Sequence, residues 1–438
     1  MLGEDDDVFD SVTWESPSAP TYDAGPSAPT GPGFRQSTAE SEPGHGPHDP
    51  KWEGYLITSV KDPVKELADT KDAYVSYLVS AKTNLPIFST PNPSARRRFQ
   101  DFVFLRNHLS KDFPACVVPP LPDKHRLEYV TGDRFSPEFM ERRRADLHRF
   151  LQRLSRHPTL QRSTLLRAFF ESTEWHVTMH QHVAHPPGPE HTTGVIDSIS
   201  DTLLNAFSRV RKPDERFLAM REGVDKFEEG IVLTERLWSR IRNRTNDLTG
   251  DYHDMAVAVQ GLGFLESGIT DPLNHFSNTL LEFSALLRHT TQTTTDPFLI
   301  HLHSLLQYSH ANRAVLKLRD QKQMDFEELS DYLSGVTSER DRVDALRGAD
   351  DDRSRVEKMR KLDAKIKELQ DAVQTAHETS DAFSDETLRE QTVFQYAKEA
   401  EMKEMLGNLA DGQMEFYKAA MDEWDRIIPI IQRIRVDV

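Results

Sequence analysis

Arg96-Arg97-Arg98-Phe99-Gln100-Asp101-Phe102 is the stretch that decides how this sequence folds, read with Pro119-Pro120-Leu121-Pro122-Asp123-Lys124 and Glu141-Arg142-Arg143-Arg144 downstream. Three basic clusters thus fall between residues 96 and 144 of a chain whose formal net charge is −17. The first joins guanidinium forks directly to an aromatic ring. A phosphorylated ring compound such as an inositol phosphate needs that pairing, with planar donors for its phosphate oxygens and a flat face for its ring. The proline run stiffens the loop that carries Lys124. The same residues also suit a strand edge and a charged helix face with no ligand, and residue chemistry alone leaves both readings open.

Working outward, 52–60 and 73–81 are rich in β-branched and aromatic residues and predict two strands, with 96–99 as a third. Phe102, Leu105 and Leu109 recur at helical spacing, as do Phe139, Leu147, Phe150, Leu151 and Leu154. Three strands followed by helices make an α+β module over 51–173. Between its helices, Leu127, Tyr129 and Val130 stand among Lys124, His125, Arg126 and Arg134. An apolar tip ringed by cations suits a loop that dips into a bilayer interface. It also suits a loop packed on its own domain.

On the N-terminal side, 1–50 is rich in Pro, Gly, Ser and acidic residues and is expected to be a disordered tail. On the C-terminal side, 174–194 holds scattered histidines and prolines without a ligand cage and is expected to be a linker. The segment 195–212 places Ile196, Ile199, Leu203 and Phe207 on one helical face, opposite Asp197, Ser200 and Asp201. It predicts a short amphipathic helix, suited to a membrane interface or to docking on a neighbouring domain.

From residue 213 to the end the period becomes seven. Phe217, Met220, Val224, Phe227, Ile231, Trp238, Ile241, Leu248, Tyr252, Met255, Val259 and Leu262 follow steps of three and four. Gly261, Gly263, Gly268 and Pro272 should break this first helix. A further helical piece should end in a threonine-rich turn at 290–295. Pro297 should open a second long helix, and 353–436 should form a third. Helices this long predict an elongated all-α bundle that buries its narrow apolar seam by pairing with a second chain. Trp424, Ile427, Ile428, Ile431 and Ile434 belong to the core of that pairing. Arg236, Arg240, Arg242, Arg244, Arg313, Lys317, Arg319 and Lys322 are candidates for a basic membrane-facing surface on the rod, and suit a solvated helix face equally.

The 438 residues suffice for two or three domains, and 29% are charged. The acidic balance opposes anionic membranes and nucleic acid, so such partners must meet local basic patches. The single cysteine, Cys116, excludes an intramolecular disulfide. No apolar run approaches a membrane span. The sequence carries no Walker loop, no dinucleotide fingerprint, no His-Glu-x-x-His and no nucleophile elbow. An enzyme, a cofactor and a metal site are therefore not expected.

Arg-Arg-Phe-x-Asp-Phe, then Pro-x-Leu-Pro-x-Lys, then Glu-Arg-Arg-x-x-x-Leu-x-x-Phe-Leu resembles a phox-homology (PX) domain in order and spacing. With the helical region behind it, nearly everything after residue 50 resembles the sorting nexins of fungi that join a PX domain to a BAR domain. The resemblance implies that Arg98 clasps the 3-phosphate of phosphatidylinositol 3-phosphate, Phe99 lies under the inositol ring, Lys124 meets the 1-phosphate and Arg143 reaches the ring hydroxyls. Gln100 stands where the family often has Ser or Thr. The resemblance further implies a dimer with itself or with a homologous sorting nexin through the BAR domain. It implies residence on the cytosolic face of early endosomes and at the preautophagosomal structure, with roles in endosome-to-Golgi recycling and selective autophagy. A coiled-coil tether that uses its rod for protein partners only is the alternative function.

Overall fold

A computed structural model of the chain describes residues 54–67, 73–122, 135–184, 214–345 and 353–434. The tail, Lys124, the loop residues Leu127, Tyr129 and Val130, and the helix residues Ile196, Ile199, Leu203 and Phe207 lie outside the described residues.

The first module opens with β1 (Leu56–Glu66), β2 (Tyr74–Thr83) and β3 (Ser94–Arg98), an antiparallel sheet in that order. Phe99 already begins α1 (Phe99–Asp112), one residue earlier than the strand reading of 96–99 allows. The Asp101 carboxylate explains the switch. It accepts the Arg98 backbone N–H at 2.8 Å, satisfying a donor at the helix start. α2 (Pro137–Arg156) is capped by Ser136, whose hydroxyl accepts the Phe139 N–H. A short 3-10 turn (Leu160–Arg162) and α3 (Thr164–Glu171) follow. The apolar faces of these helices meet the sheet, and Phe102, Leu105, Leu109, Leu147, Phe150, Leu151, Leu154, Phe169 and Phe170 are all buried.

The stretch expected as a linker begins instead with α4 (Trp175–Ala184). Trp175 is buried edge-on to Phe104 and Phe169, at 5.9 and 5.3 Å between ring centres, so one aromatic anchor docks a histidine-rich helix on the first module.

The second module consists of α5 (Glu215–Leu265), α6 (Thr270–Thr290), α7 (Asp296–Ala345) and α8 (Arg353–Ile431). At 1.5 Å per residue, the 79 residues of α8 extend about 120 Å. The break between α5 and α6 falls at 266–269, among the expected glycines. The threonine-rich stretch is not a turn. Thr291–Thr295 is a π-helical segment through which α6 runs on into α7. Pro297 has no N–H to give the preceding turn, and the wider π ring absorbs that missing bond without ending the helix.

The heptad seam holds through Phe217, Val224 and Ile231, which are buried. Further along, the buried positions are the small ones: Thr249, Ala256 and Gly263. Small residues let α6 approach closely, so that the Ser277 hydroxyl donates to the Ala256 carbonyl at 2.7 Å and Ser284 to that of Thr249 at 2.9 Å. The large residues expected to be the seam there, Ile241, Leu248, Met255 and Leu262, remain 44–52% exposed in the single chain. At the C-terminal end Ile427 is buried, whereas Ile428 and Ile431 are exposed.

Several cations expected on a membrane-facing surface are committed to carboxylates or buried. Arg242 pairs with Asp296, and Arg313 with Asp225 and Glu228. Arg319 is buried over the Phe217 ring, donating to Ser384. Arg236, Arg240, Arg244 and Lys317 are exposed.

Candidate functional site

The Arg run divides its labour by strand register. Arg97 points inward: it is 4% exposed, and donates to the carbonyls of Phe169 at 2.9 Å and Ser172 at 2.6 Å. Burial lowers its pKa to about 10, against the pull of Asp101. Arg96 faces the sheet edge and donates to Ser76 and to the Asp62 carbonyl. Arg98, paired in register with Ser76, is left with a half-exposed side chain. Its Nε stands 3.5 Å from Asp101, the carboxylate that fixes its backbone. Burial raises the pKa of Asp101, while Arg98 and Arg97 oppose that rise.

Arg98, Phe99, Gln100 and Arg143 line one cavity of about 230 Å³ at the junction of β2, β3 and α2. Four of the five expected headgroup residues are thereby brought together from positions up to 45 residues apart, counting 143 − 98. The Arg143 guanidinium lies 4.4 Å from the Phe99 ring centre and 4.5 Å from that of Phe139, a cation sandwiched between aromatic faces. Arg144, the next residue, turns away and donates to the Val60 carbonyl at 2.8 Å, tying α2 to β1.

The aromatic lining residues Tyr74, Tyr77 and Phe135 were not foreseen. The Arg98 guanidinium lies 6.0 Å from the Tyr74 ring, and Lys65 lies 4.3 Å from that of Phe135. The Tyr77 hydroxyl is buried without a hydrogen-bond partner among the described residues. Burial pushes its pKa up to about 12 despite the nearby Arg143, so it is a neutral donor. Strand alternation marks these tyrosines as sheet residues. Only the register against β3 says that they meet Arg98. Chemically, the cavity offers two guanidiniums, aromatic walls and a hydroxyl, which suits an anionic ring and supplies no nucleophile or general base.

A second polar constellation joins the two modules. The Glu390 carboxylate of α8 accepts the Val117 N–H at 2.7 Å and the His157 Nε2–H at 2.9 Å. His157 Nδ1 accepts the backbone N–H groups of Thr159 and Leu160, both at 3.2 Å, which places the ring proton on Nε2. Cys116 completes the group, its thiol pKa raised by burial and by Glu390. Cys116, His157 and Glu390 lie close enough together to suggest a metal cage. Yet His157 Nε2 already spends its proton on the carboxylate, so the trio is a satisfied hydrogen-bond node. Beside it, Arg153 makes a two-pronged contact with Glu401 at 2.7 and 2.8 Å, and lies 4.6 Å from the Tyr308 ring centre.

The comparisons with known proteins bear on both modules. Residues 85–173 match the PX domain model, and residues 192–429 match the model described as Vps5 C terminal like, more than half of the chain. This chain belongs to the sorting nexins, in the class with a PX and a BAR domain. A sorting nexin-4 of Cryptococcus neoformans is 55% identical over 90% of this chain and 85% of its own length. One of Emericella nidulans is 37% identical over 97% and 96%. The cryo-EM structure of the SNX-BAR Mvp1 tetramer shares the fold, with a TM-score of 0.60, 16% identity, and coverage of 85% of this chain and 100% of that one. PX–BAR sorting nexins are non-enzymatic, membrane-binding trafficking proteins, peripheral to endosomal compartments. Among the described residues no helix is long and apolar enough to cross a membrane. β1 and β2 precede the stretch matched to the PX model, and they complete its sheet.

Proposed function

We propose that this sorting nexin binds phosphatidylinositol 3-phosphate and senses membrane curvature on the cytosolic face of early endosomes. There it would act in endosome-to-Golgi recycling of cargo and, in fungi, in selective autophagy. The observation that carries this reading is the convergence of Arg98 and Arg143 with Phe99 and Gln100 on one headgroup-sized cavity. Arg98 would clasp the 3-phosphate through its half-exposed fork, Phe99 would underlie the ring, and Arg143, held by two aromatic rings, would meet the ring hydroxyls. Lys124 would meet the 1-phosphate as a point charge. Leu127, Tyr129 and Val130 would enter the bilayer interface, with the amphipathic segment carrying Ile196, Ile199, Leu203 and Phe207 lying in it.

Basic residues near an anionic leaflet contribute only about 1 kcal/mol each, so one such cavity binds weakly. Two cavities tied into one rigid dimer raise avidity by about 10² to 10⁴. The exposed row Ile241, Leu248, Met255 and Leu262 supports pairing through the BAR domain, with a second copy or with a homologous sorting nexin. Each such side chain contributes about 1.5–3 kcal/mol when fully covered. The test is flotation of the full chain with phosphatidylcholine vesicles, with and without phosphatidylinositol 3-phosphate. Recovery should require the lipid and should fall at least tenfold in Arg98→Ala. Equal recovery of that variant, or equal recovery without the lipid, refutes the reading.

A further inference from the structure

A second cavity, of about 260 Å³, lies where α2 of the PX domain meets the helical bundle. It is slightly larger than the 230 Å³ of the Arg98 cavity and shares no residue with it. One face of α2 forms its cationic wall: Arg144, His148, Arg149, Arg153 and Arg156. Opposite stand Thr293 and Thr294 of the π-helical segment, with His301 of α7 and Glu401 and Glu404 of α8.

Four guanidiniums therefore face two carboxylates. Arg153 is closed on Glu401, and Arg156 stands 3.4 Å from Glu404. Arg144 and Arg149 have their own partners, Glu141 and Asp146, but these two carboxylates are not part of the lining. Each guanidinium thus has one carboxylate, but only two of the four carboxylates stand in the cavity wall, so the α2 side presents mainly cations to the cavity. His148 registers that field. Burial depresses its pKa first, and Arg144, Arg149 and Arg156 depress it further, with only Glu404 opposing. The His148 Nδ1 is buried without a hydrogen-bond partner among the described residues. His301 Nε2, at 3.5 Å from Glu401, is too far for a good hydrogen bond. The π-helical segment, an irregularity that recurs at functional sites, adds Thr294 to the wall, while the Thr293 hydroxyl donates to the His289 carbonyl of its own helix.

We propose that this interdomain cavity is a second anion site, built for a phosphorylated ring of inositol-phosphate size that bridges the PX domain and the helical bundle. Phosphate oxygens would accept from Arg149 and Arg156, which are paired but not enclosed on every side, and from the idle nitrogen of His148 once that ring is protonated. The site is independent of the assignment made for Arg98. Its ligand comes either from solution or from a lipid headgroup, since both present the same phosphorylated ring.

The test uses the full chain and two probes: myo-inositol hexakisphosphate in solution, and phosphatidylcholine vesicles carrying phosphatidylinositol 4,5-bisphosphate. By titration calorimetry in an Arg98→Ala background, which removes the phosphate fork of the first cavity, the soluble probe should still bind, and Arg98→Ala/Arg149→Gln/Arg156→Gln should bind it at least tenfold more weakly. In the wild type, NMR titration of the His148 ring should move upward when the probe is added, a readout that does not require the variant to fold. If Arg98→Ala still floats with the vesicles and Arg149→Gln/Arg156→Gln/Arg98→Ala does not, the source is a headgroup; soluble binding without flotation assigns a free small molecule. Absence of binding by both probes, loss of binding in Arg98→Ala alone, or an unmoved His148 titration overturns the proposal.

Discussion

Arg153→Met should uncouple the PX domain from the helical bundle. The Glu401 carboxylate is 5% exposed and accepts both prongs of Arg153. After the substitution the carboxylate keeps one basic neighbour within 4 Å among the described residues, the His301 ring at 3.5 Å. Stranding one member of a buried pair costs about 3–5 kcal/mol. The lost cation–π contact with Tyr308 adds about 1 kcal/mol, part of which a methionine sulfur recovers against the same ring. Against a domain stability of about 5–15 kcal/mol, that loss is enough to separate two transitions that otherwise coincide. Calorimetric melting of the full chain is the assay, with limited proteolysis between the modules as its companion. The single variant should split the melt and speed cleavage. Arg153→Met/Glu401→Leu removes both charges, and should recover most of the loss, because a buried pair replaced by apolar groups is often neutral or stabilising. If the single variant melts as the wild type does, or the double variant is no better than the single, the pair does not hold the modules together.

The same carboxylate gives a pH prediction. Burial raises the Glu401 pKa, but Arg153 outweighs it and holds the group at about 2, below its ordinary 4.5. Its contribution is therefore complete above about pH 5 and is lost as pH falls toward 2: on the order of 3 kcal/mol in all, about 2 of it gone by pH 3. The stability gap between wild type and Glu401→Gln should narrow by that amount between pH 6 and pH 3; a constant gap refutes the assignment. In the proposed headgroup cavity, Tyr77→Phe should weaken binding of soluble inositol 1,3-bisphosphate by three- to tenfold without lowering thermal stability, since the hydroxyl is buried with no hydrogen-bond partner among the described residues. A fall in melting temperature with unchanged affinity would instead make that hydroxyl part of the fold.

The fold was legible wherever local period and chemistry agreed. Phe102, Leu105 and Leu109 sit where their spacing put them, and the difference in exposure between Arg98 and Arg97 follows from strand alternation once β3 is recognised. The headgroup residues Arg98, Phe99, Gln100 and Arg143 could be named because their spacing matched a known motif; Tyr74, Tyr77 and Phe135 could not, because their contribution depends on pairing register and loop return. Two misreadings came from weighing composition over context. The histidines of 176–182 read as a linker until Trp175 is seen buried beneath two phenylalanines. The threonines of 291–295 read as a turn, although β-branched residues are compatible with a helix whose ring has widened. The interdomain node escaped altogether, because Cys116 and His157 meet Glu390 only across more than 200 residues of chain.

That node would bear on the proposed detection of shape as well as lipid. Avidity rises only if the second cavity is already placed when the first binds; a freely swinging PX domain would dilute its own effective concentration. Glu390 holds Val117 and His157, and Glu401 holds Arg153, so the loop after α1 and the end of α2 are both pinned to α8. α2 also carries Arg143, which lines the headgroup cavity. One helix thus connects the cavity that Arg143 lines to the helical bundle, and the orientation of the cavity is set by the orientation of the bundle. On the proposed function, curvature would then enter the binding equilibrium through geometry: a membrane whose bend brings lipid to the cavities of both paired chains at once would be favoured over a flat one that satisfies only the first.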